Sequence, residues 1–229
     1  MKRRRPGLQR KWAHVVNSLQ GVIPSYELAS SRISLFADRR LRAEAVAFAV
    51  RKGSRVLDLG AGPGTMSRGV VRAGGDPVLV DASRAMLGNS GFPNSVQAVF
   101  EWLPFRAGVF DGAVSGFALR DAHDLPVALG QVAGVLKPGA RFAIADLGKP
   151  DGRFFQVAIA MYLRIVPPLI GLATAGRAGL KYASLFETYV LVLPNSELAA
   201  ILTRFVGPTT LHETQMGGSI VVKCLRATN

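Results

Sequence analysis

A glycine-rich loop after a short apolar segment constrains the fold of this chain more than any other feature. The segment 56–59 is apolar except for Asp58, and glycines follow at every second position, at Gly60, Gly62 and Gly64. An apolar run rich in branched residues and ended by glycines predicts a buried strand followed by a tight turn. The residues after it predict a helix, whose first N–H groups would point at a ligand above the loop. Glycine allows positive φ and a close approach of the backbone to that ligand, so we predict a ligand-binding strand–loop–helix unit.

The spacing of the glycines narrows the class of ligand. The dinucleotide pattern G-x-G-x-x-G would need a third glycine at the position of Thr65, and the Gly-Lys-Ser/Thr of a phosphate-binding P-loop does not occur. What remains is D-x-G-x-G-x-G, in which an acid favours a cationic amine over phosphates. The pattern resembles motif I of the class I S-adenosyl-L-methionine (SAM) methyltransferases, in which the loop wraps the methionine end of SAM. A glycine-rich turn in another α/β domain is the alternative.

A second acid follows the next predicted strand. Residues 78–80 are apolar and end at Asp81, 21 residues after Gly60. An acid at this place in a nucleotide-binding α/β unit can accept hydrogen bonds from both ribose hydroxyls. The run 81–87 resembles the family pattern acid-x-[ST]-x-x-M-L, which implies that Met86 packs on the adenine. The alternative role for Asp81 is to cap the N-terminus of the following helix.

The third predicted strand, 95–100, departs from the family pattern. The family usually has an aspartate at the position of Val99, where it binds the adenine amino group. The resemblance therefore leaves the adenine to backbone groups near Phe100, to Glu101, or to packing. The cofactor-binding residues implied by the resemblance are Asp58, Gly60, Ala61, Gly62, Pro63, Gly64, Asp81, Ala82, Met86, Val99, Phe100, Glu101 and Ser115.

A more specific motif follows the fourth predicted strand. Residues 116–121 read GFALRD, which resembles the G-F-x-L-R-[ND] of the ubiquinone/menaquinone biosynthesis C-methyltransferases. Residues 146–150 and 182–188 are similar to that family's E-F-S-K-P and Y-x-x-L-x-x-S. The resemblance runs in order from about residue 26 to residue 226. It implies an enzyme that transfers a methyl group from SAM to a ring carbon of a quinol or a related isoprenoid-quinone precursor.

Such a reaction needs a group that removes the phenolic proton or stabilises the negative charge that is left. Arg120 and Asp121 are the candidate catalytic residues, with Arg120 stabilising a phenolate or ordering a water that takes the proton. The alternative for Arg120 is an ion pair with Asp121 or Asp124. His123 is a further candidate base, although it lies outside the family pattern.

Cysteine and histidine usage limits other kinds of chemistry. Cys224 is the single cysteine, which excludes an intrachain disulfide framework and favours a reducing compartment. The three histidines, His14, His123 and His212, are far apart and have no partner at ligand spacing. We therefore expect no metal.

The formal net charge of +13 calls for an anionic partner. Six of the cations lie within 1–11, before the first acid, Glu27, and such a cluster binds nucleic acid or an anionic membrane, or serves as a solubilising tail. Polar residues interrupt the sequence after it, so a secretory signal is not expected. We expect a cytoplasmic protein, peripheral on the inner face of the cell membrane; homodimer formation stays open. Other function classes also stay open: an RNA methyltransferase, a methyltransferase for another small molecule or lipid, and a non-catalytic SAM-binding protein.

An apolar stretch covers residues 154–175 and approaches the length of a bilayer span. Arg164 lies near its middle, and one arginine at a bilayer centre costs about 2.5–3.5 kcal/mol. Two prolines also follow it, so we favour a buried or interfacial cover helix over a membrane-spanning one, with an ordinary core helix as the alternative. The surrounding residues are basic, which suits a long-chain isoprenoid substrate drawn from an anionic membrane.

Strands alternate with helices along most of the chain, which predicts a Rossmann-like α/β fold. The resemblance implies a mostly parallel seven-stranded sheet with an antiparallel last strand, helices on both faces and a helical cover over the site. We predict a basic N-terminal segment at 1–25 and a methyltransferase domain at 26–229. The cover helices are expected at about 26–50 and 152–192.

Overall fold

A computed structural model describes Arg32 and residues 37–228 of the chain. The predicted basic segment 1–25, and the cover predicted for residues 26–31 and 33–36, lie outside the described residues. Seven strands form one sheet in the order β3-β2-β1-β4-β5-β7-β6. In this order, each strand from β3 to β5 is parallel to the next. β7 runs antiparallel to both β5 and β6. The predicted mostly parallel seven-stranded fold is confirmed.

Helices and strands alternate as the sequence predicts. The strands are β1 Arg55–Leu59, β2 Asp76–Asp81, β3 Ser95–Gln97, β4 Phe110–Gly116, β5 Leu136–Leu147, β6 Thr209–Thr214 and β7 Ser219–Leu225. The α-helices are α1 Ala37–Ala49, α2 Thr65–Arg72, α3 Arg84–Gly88, α4 Leu125–Val135, α5 Arg153–Ala175, α6 Ser184–Leu191 and α7 Asn195–Phe205. Short 3₁₀ helices cover Leu119–Asp121, Gly176–Ala183 and Gln215–Gly217.

Two strand boundaries differ from the prediction. β3 ends at Gln97 rather than residue 100, because the chain turns there and Trp102 N–H donates to the Val99 carbonyl. The Lys-Pro-Gly sequence at 137–139 predicts a turn, but these residues are an irregular part of β5. Gly139 has a φ of 73° there, and the register against β4 shifts at a bulge.

The sheet is buried on both faces, as expected for parallel strands between helices. Leu57, on one face, belongs to a core cluster that includes residues of α4 and α7. Its neighbour Val56, on the other face, packs in a second cluster with α1 and α2. The strand order reverses between β1 and β4, and this switch point is where ligands of open α/β sheets bind, beyond the carboxyl ends of the strands.

The helix α5 lies after β5 and is mostly exposed. Its segment Arg153–Thr174 is long and apolar enough to cross a membrane by length and composition, with a mean hydropathy of 1.7. Only 17% of that apolar window is buried, so the alternative of an ordinary core helix is wrong. α6 and α7 meet the same criterion only when taken together, across a bend of 62°.

Candidate functional site

The glycine loop between β1 and α2 has the backbone that its sequence predicts. Gly60, Gly62 and Gly64 all have positive φ, at 68°, 54° and 81°. A Cβ on Gly60 would overlap the Cβ of Ala118 and lie 3.1 Å from the ring of Phe100, whereas a Cβ on Gly62 would meet no atom of the described residues within 4 Å. The loop is therefore closely packed at its first glycine and open beside its second, where a ligand has room to approach the backbone.

Asp58 is the most unusual polar group at this end of the sheet. It is fully buried, and its Oδ2 accepts a 2.6 Å hydrogen bond from the hydroxyl of Ser67 in α2. Its Oδ1 is also buried but has no hydrogen-bond partner among the described residues. Burial raises the pKa of Asp58 to about 6, against the lowering effect of the Ser67 hydrogen bond and the Arg42 charge. An ammonium group at Oδ1 would supply the missing donor and a compensating charge.

Asp81 ties the end of β2 to the glycine loop. Its Oδ2 accepts a hydrogen bond from the Gly62 N–H and its Oδ1 accepts one from the Ser83 N–H, both at 2.8 Å. Burial raises the pKa of Asp81, and these two backbone hydrogen bonds lower it. Each carboxylate oxygen keeps a second lone pair, so the group can still accept from ribose hydroxyls. Ser83 caps α3 by accepting from the Met86 N–H, so the alternative of Asp81 as the helix cap is wrong.

The predicted adenine side is less complete. Val99 pairs with Trp102 in an isolated β-bridge, and Met86 is buried in α3. The Glu101 Oε1 accepts backbone hydrogen bonds from His123 at 2.6 Å and Asp124 at 3.0 Å. Glu101 thus braces the loop before α4, and its role toward adenine stays a prediction.

Four other residues predicted to bind the cofactor have polar or packing contacts within the protein. Ala61 is buried in a cluster with α3, the Pro63 carbonyl accepts from Arg68, and the Ala82 carbonyl accepts from Gln97. The buried Ser115 hydroxyl donates to the Leu59 carbonyl at 3.0 Å, linking β4 to β1. The hydroxyl of Ser115 therefore already has a structural partner, and a ligand contact there stays a prediction.

Arg120 lies in the 3₁₀ helix after β4 and forms an ion pair with Asp146 at the end of β5. Both side chains are nearly buried. The ion pair seen for Arg120 is with Asp146, whereas Asp124 caps α4 and accepts from the Val127 N–H. Sequence reasoning missed Asp146 as the partner, although it begins the motif that resembles the family's E-F-S-K-P.

Asp121 follows Arg120 in the chain, and several charges of the site affect its pKa. Burial raises its pKa to about 6, although the charges of Arg120 and His123 lower it. The charges of Asp146 and Asp81 raise it further. The ends of β2, β4 and β5 therefore bring three carboxylates within electrostatic range of each other.

Arg42, from α1, is the residue near the site that sequence reasoning missed most clearly. Its Nη1 donates to the Gly116 carbonyl at 3.4 Å, and its guanidinium lies 4.8 Å from the centre of the Phe117 ring. Phe117 has a φ of 60°, a conformation that costs a bulky residue about 1–3 kcal/mol. The GF pair of the motif is thus a strained turn stabilised by a cation from α1. No local signal could reveal this contact, because 74 residues separate the partners.

The arrangement is suited to a cationic ligand rather than a phosphate. Four carboxylates, Asp58, Asp81, Asp121 and Asp146, lie at the carboxyl edge of the sheet with Arg42 and Arg120 among them. Within residues 37–228 and Arg32, no group of three or more His, Cys, Asp or Glu residues is placed to hold a metal ion. The buried unpartnered oxygen of Asp58 and the open space at Gly62 fit the ammonium and the methionine chain of SAM.

Sequence comparison finds a matching family and named relatives. The profile of the ubiE/COQ5 methyltransferase family matches residues 8–223. The demethylmenaquinone methyltransferase of Streptomyces griseus is 35% identical over 179 residues, covering 72% of this chain and 74% of the relative. The 2-phytyl-1,4-naphtoquinone methyltransferase of Synechococcus elongatus is 35% identical over 156 residues, covering 62% and 67%.

Solved structures share the fold at low sequence identity. A SAM-dependent methyltransferase from Thermotoga maritima, described as a possible histamine N-methyltransferase, superposes with a TM-score of 0.66 at 14% identity. That match covers 93% of this chain and 99% of the other. The 1,6-didemethyltoxoflavin-N1-methyltransferase of Burkholderia thailandensis, solved with S-adenosylhomocysteine, gives a TM-score of 0.58 at 20% identity, covering 95% and 90%.

Proposed function

Because this chain belongs to the ubiE/COQ5 methyltransferase family, we propose that it C-methylates the ring of an isoprenoid-quinone precursor. The family and the fold make it a SAM-dependent methyltransferase. The acceptor comes from the relatives, which are named for demethylmenaquinone and 2-phytyl-1,4-naphtoquinone. Both names describe a naphthoquinone ring, and we propose a reduced ring of this kind as the substrate.

The buried oxygen of Asp58, which has no partner among the described residues, is the observation that carries the SAM-binding part of the proposal. A buried acceptor without a hydrogen bond costs about 1–3 kcal/mol. Asp58 Oδ1 is such an acceptor at the switch point of the sheet. In the proposed complex it accepts from the ammonium of SAM, the 60–64 loop surrounds the methionine chain, and Asp81 accepts from the ribose. When bound, SAM supplies an electrophilic methyl group on its sulfonium.

In the proposed mechanism, residues after β4 prepare the acceptor ring. A quinol carbon becomes nucleophilic as its hydroxyl loses a proton, and a base works best with a pKa near the operating pH. Asp121, with its pKa raised to about 6, is the proposed base. Arg120, oriented by Asp146, is the proposed cation that stabilises the phenolate. The rest of the rate enhancement comes from positioning, which supplies roughly 7–11 kcal/mol in well-oriented reactions.

The remaining partners are also proposals. An isoprenoid tail resides in a membrane, so we propose that the enzyme collects its substrate at the membrane surface of a bacterial cell. A homodimer and a metal-free reaction belong to the same proposal.

The quinone pool tests the function directly. Mass spectrometry of lipid extracts, with and without the gene, should show a quinone lighter by one CH₂ unit when the gene is absent. Wild-type complementation should restore the methylated form, and complementation with Asp58→Asn should not. An unchanged quinone pool together with lost methylation of an RNA would overturn the proposal and favour the RNA alternative.

A further inference from the structure

A row of exposed apolar side chains runs along α5. Its members are between 46% and 79% exposed and recur at spacings of three, four or seven residues, which places them on one helix face. The row, called here the α5 stripe, consists of Phe154, Met161, Ile165, Leu169 and Leu172. Soluble monomers rarely expose a continuous apolar patch of this extent without a function for it.

The opposite face of α5 is packed against the protein. Leu163 is buried, and Gly171 lies so close to Gly179 of the following 3₁₀ helix that a Cβ on either would overlap the backbone of the other. The Tyr189 hydroxyl in α6 also donates to the Gln156 carbonyl. A helix crossing a bilayer would have to give up these contacts, so α5 is better suited to lie in the plane of an interface.

The charges beside the α5 stripe indicate what kind of surface binds there. No acidic residue occurs between Asp151 and Glu187, whereas Arg153, Arg164 and Arg177 are exposed. Anionic lipid headgroups attract such cations, while the apolar face inserts at the acyl boundary. A second copy of the chain docked on this stripe through a two-fold axis would bring the same arginines together, which disfavours a dimer through it.

We infer that the α5 stripe docks on the surface of an anionic lipid bilayer, with α5 lying parallel to the membrane. The inference rests on the proposed function, which gives the enzyme a lipid substrate. α5 begins only a few residues after Asp146, at the end of β5. A lipid substrate that leaves the bilayer at the N-terminal end of α5 would therefore enter near the Arg120 ion pair.

Vesicle flotation of the full chain tests the inference without any turnover. The probes are vesicles of phosphatidylcholine alone and of phosphatidylcholine mixed with phosphatidylglycerol. Each of Met161→Glu, Ile165→Glu and Leu169→Glu should lower the partition coefficient at least about tenfold on both vesicles, since each removes the insertion of a large apolar side chain. The matched controls Val71→Glu and Val127→Glu replace similarly exposed residues of α2 and α4 and should leave binding unchanged.

The arginines give a second and independent readout. Arg153→Gln combined with Arg177→Gln should weaken binding to the anionic vesicles by about fivefold per residue and leave the neutral vesicles unaffected. Calorimetric SAM binding equal to that of the wild type shows that each variant is folded. Wild-type protein that binds neither vesicle, or stripe variants that bind as well as the controls, would overturn the inference. Stripe variants that only convert a dimer to a monomer would overturn it in favour of a second copy. Because vesicle binding is measured without substrate, its failure is distinct from a failure of the proposed methylation.

Discussion

Replacing Asp58 by asparagine should weaken SAM binding and at the same time stabilise the ligand-free protein. Asparagine keeps an oxygen for the Ser67 hydroxyl but removes the negative charge. A hydrogen bond to a charged group contributes about 1.5–3 kcal/mol, so the dissociation constant for SAM should rise about 10- to 150-fold. A residue with only a structural role would not give opposite effects on binding and stability.

The gain in stability follows from the pKa of Asp58. Burial raises its pKa from 3.8 to about 6 in the folded protein, so the native state binds this proton more tightly than the unfolded chain. Stability from this group is therefore fully present below pH 4 and is lost as the pH rises to above 6. The loss at neutral pH amounts to about 3 kcal/mol, and Asp58→Asn removes it.

Calorimetric titration with SAM and urea unfolding at pH 5 and pH 8 measure both effects. The variant should be more stable than the wild type at pH 8, with a smaller difference at pH 5. Unchanged SAM affinity would refute the role of Asp58 as the ammonium partner. A variant less stable than the wild type at pH 8 would refute the charge-burial reasoning.

Four further substitutions test other parts of the site. Gly60→Ala forces a Cβ into Ala118 at positive φ and should lower both stability and SAM affinity. Gly62→Ala meets no described atom within 4 Å and should lower stability by about 1–2 kcal/mol because of its positive φ, but its Cβ would take space proposed for the methionine chain and should also weaken SAM binding. Thermal unfolding and calorimetry compare the two. Asp81→Asn should weaken binding of SAM and of S-adenosylhomocysteine by similar factors in calorimetry, because the ribose is common to both. Arg120→Lys keeps the charge toward its buried carboxylate partner but replaces the planar guanidinium with a compact ammonium. Turnover in a methyl-transfer assay should fall at least tenfold with SAM affinity unchanged, and equal turnover would remove Arg120 from the mechanism.

The sequence predicted those parts of the molecule that depend on local pattern. The first strand, the glycine loop and the acid at the end of β2 carry periodicity and spacing that determine their structure wherever the chain folds. Gly60, Gly62 and Gly64 all have the positive φ that their residue type allows. The antiparallel β6–β7 pair followed from the resemblance to a known family rather than from local pattern.

The contacts that join distant elements were not predictable in this way. Arg42 meets Gly116 across 74 residues, and Arg120 pairs with Asp146 across 26 residues. Each of these partners depends on which strand ends lie side by side in the sheet, which residue type and spacing do not encode. The exposure of α5 was also not predictable, because its composition fits a core helix and an interfacial helix equally well.

Methyl transfer to carbon is the central claim, and isotope-labelled SAM tests it most directly. The purified protein would be incubated with SAM carrying a deuterated methyl group and a reduced demethylnaphthoquinol with a short isoprenoid tail. Mass spectrometry and NMR of the product should show the intact labelled methyl group on a ring carbon. A product labelled on oxygen, or no labelled quinol while SAM still binds, would contradict it.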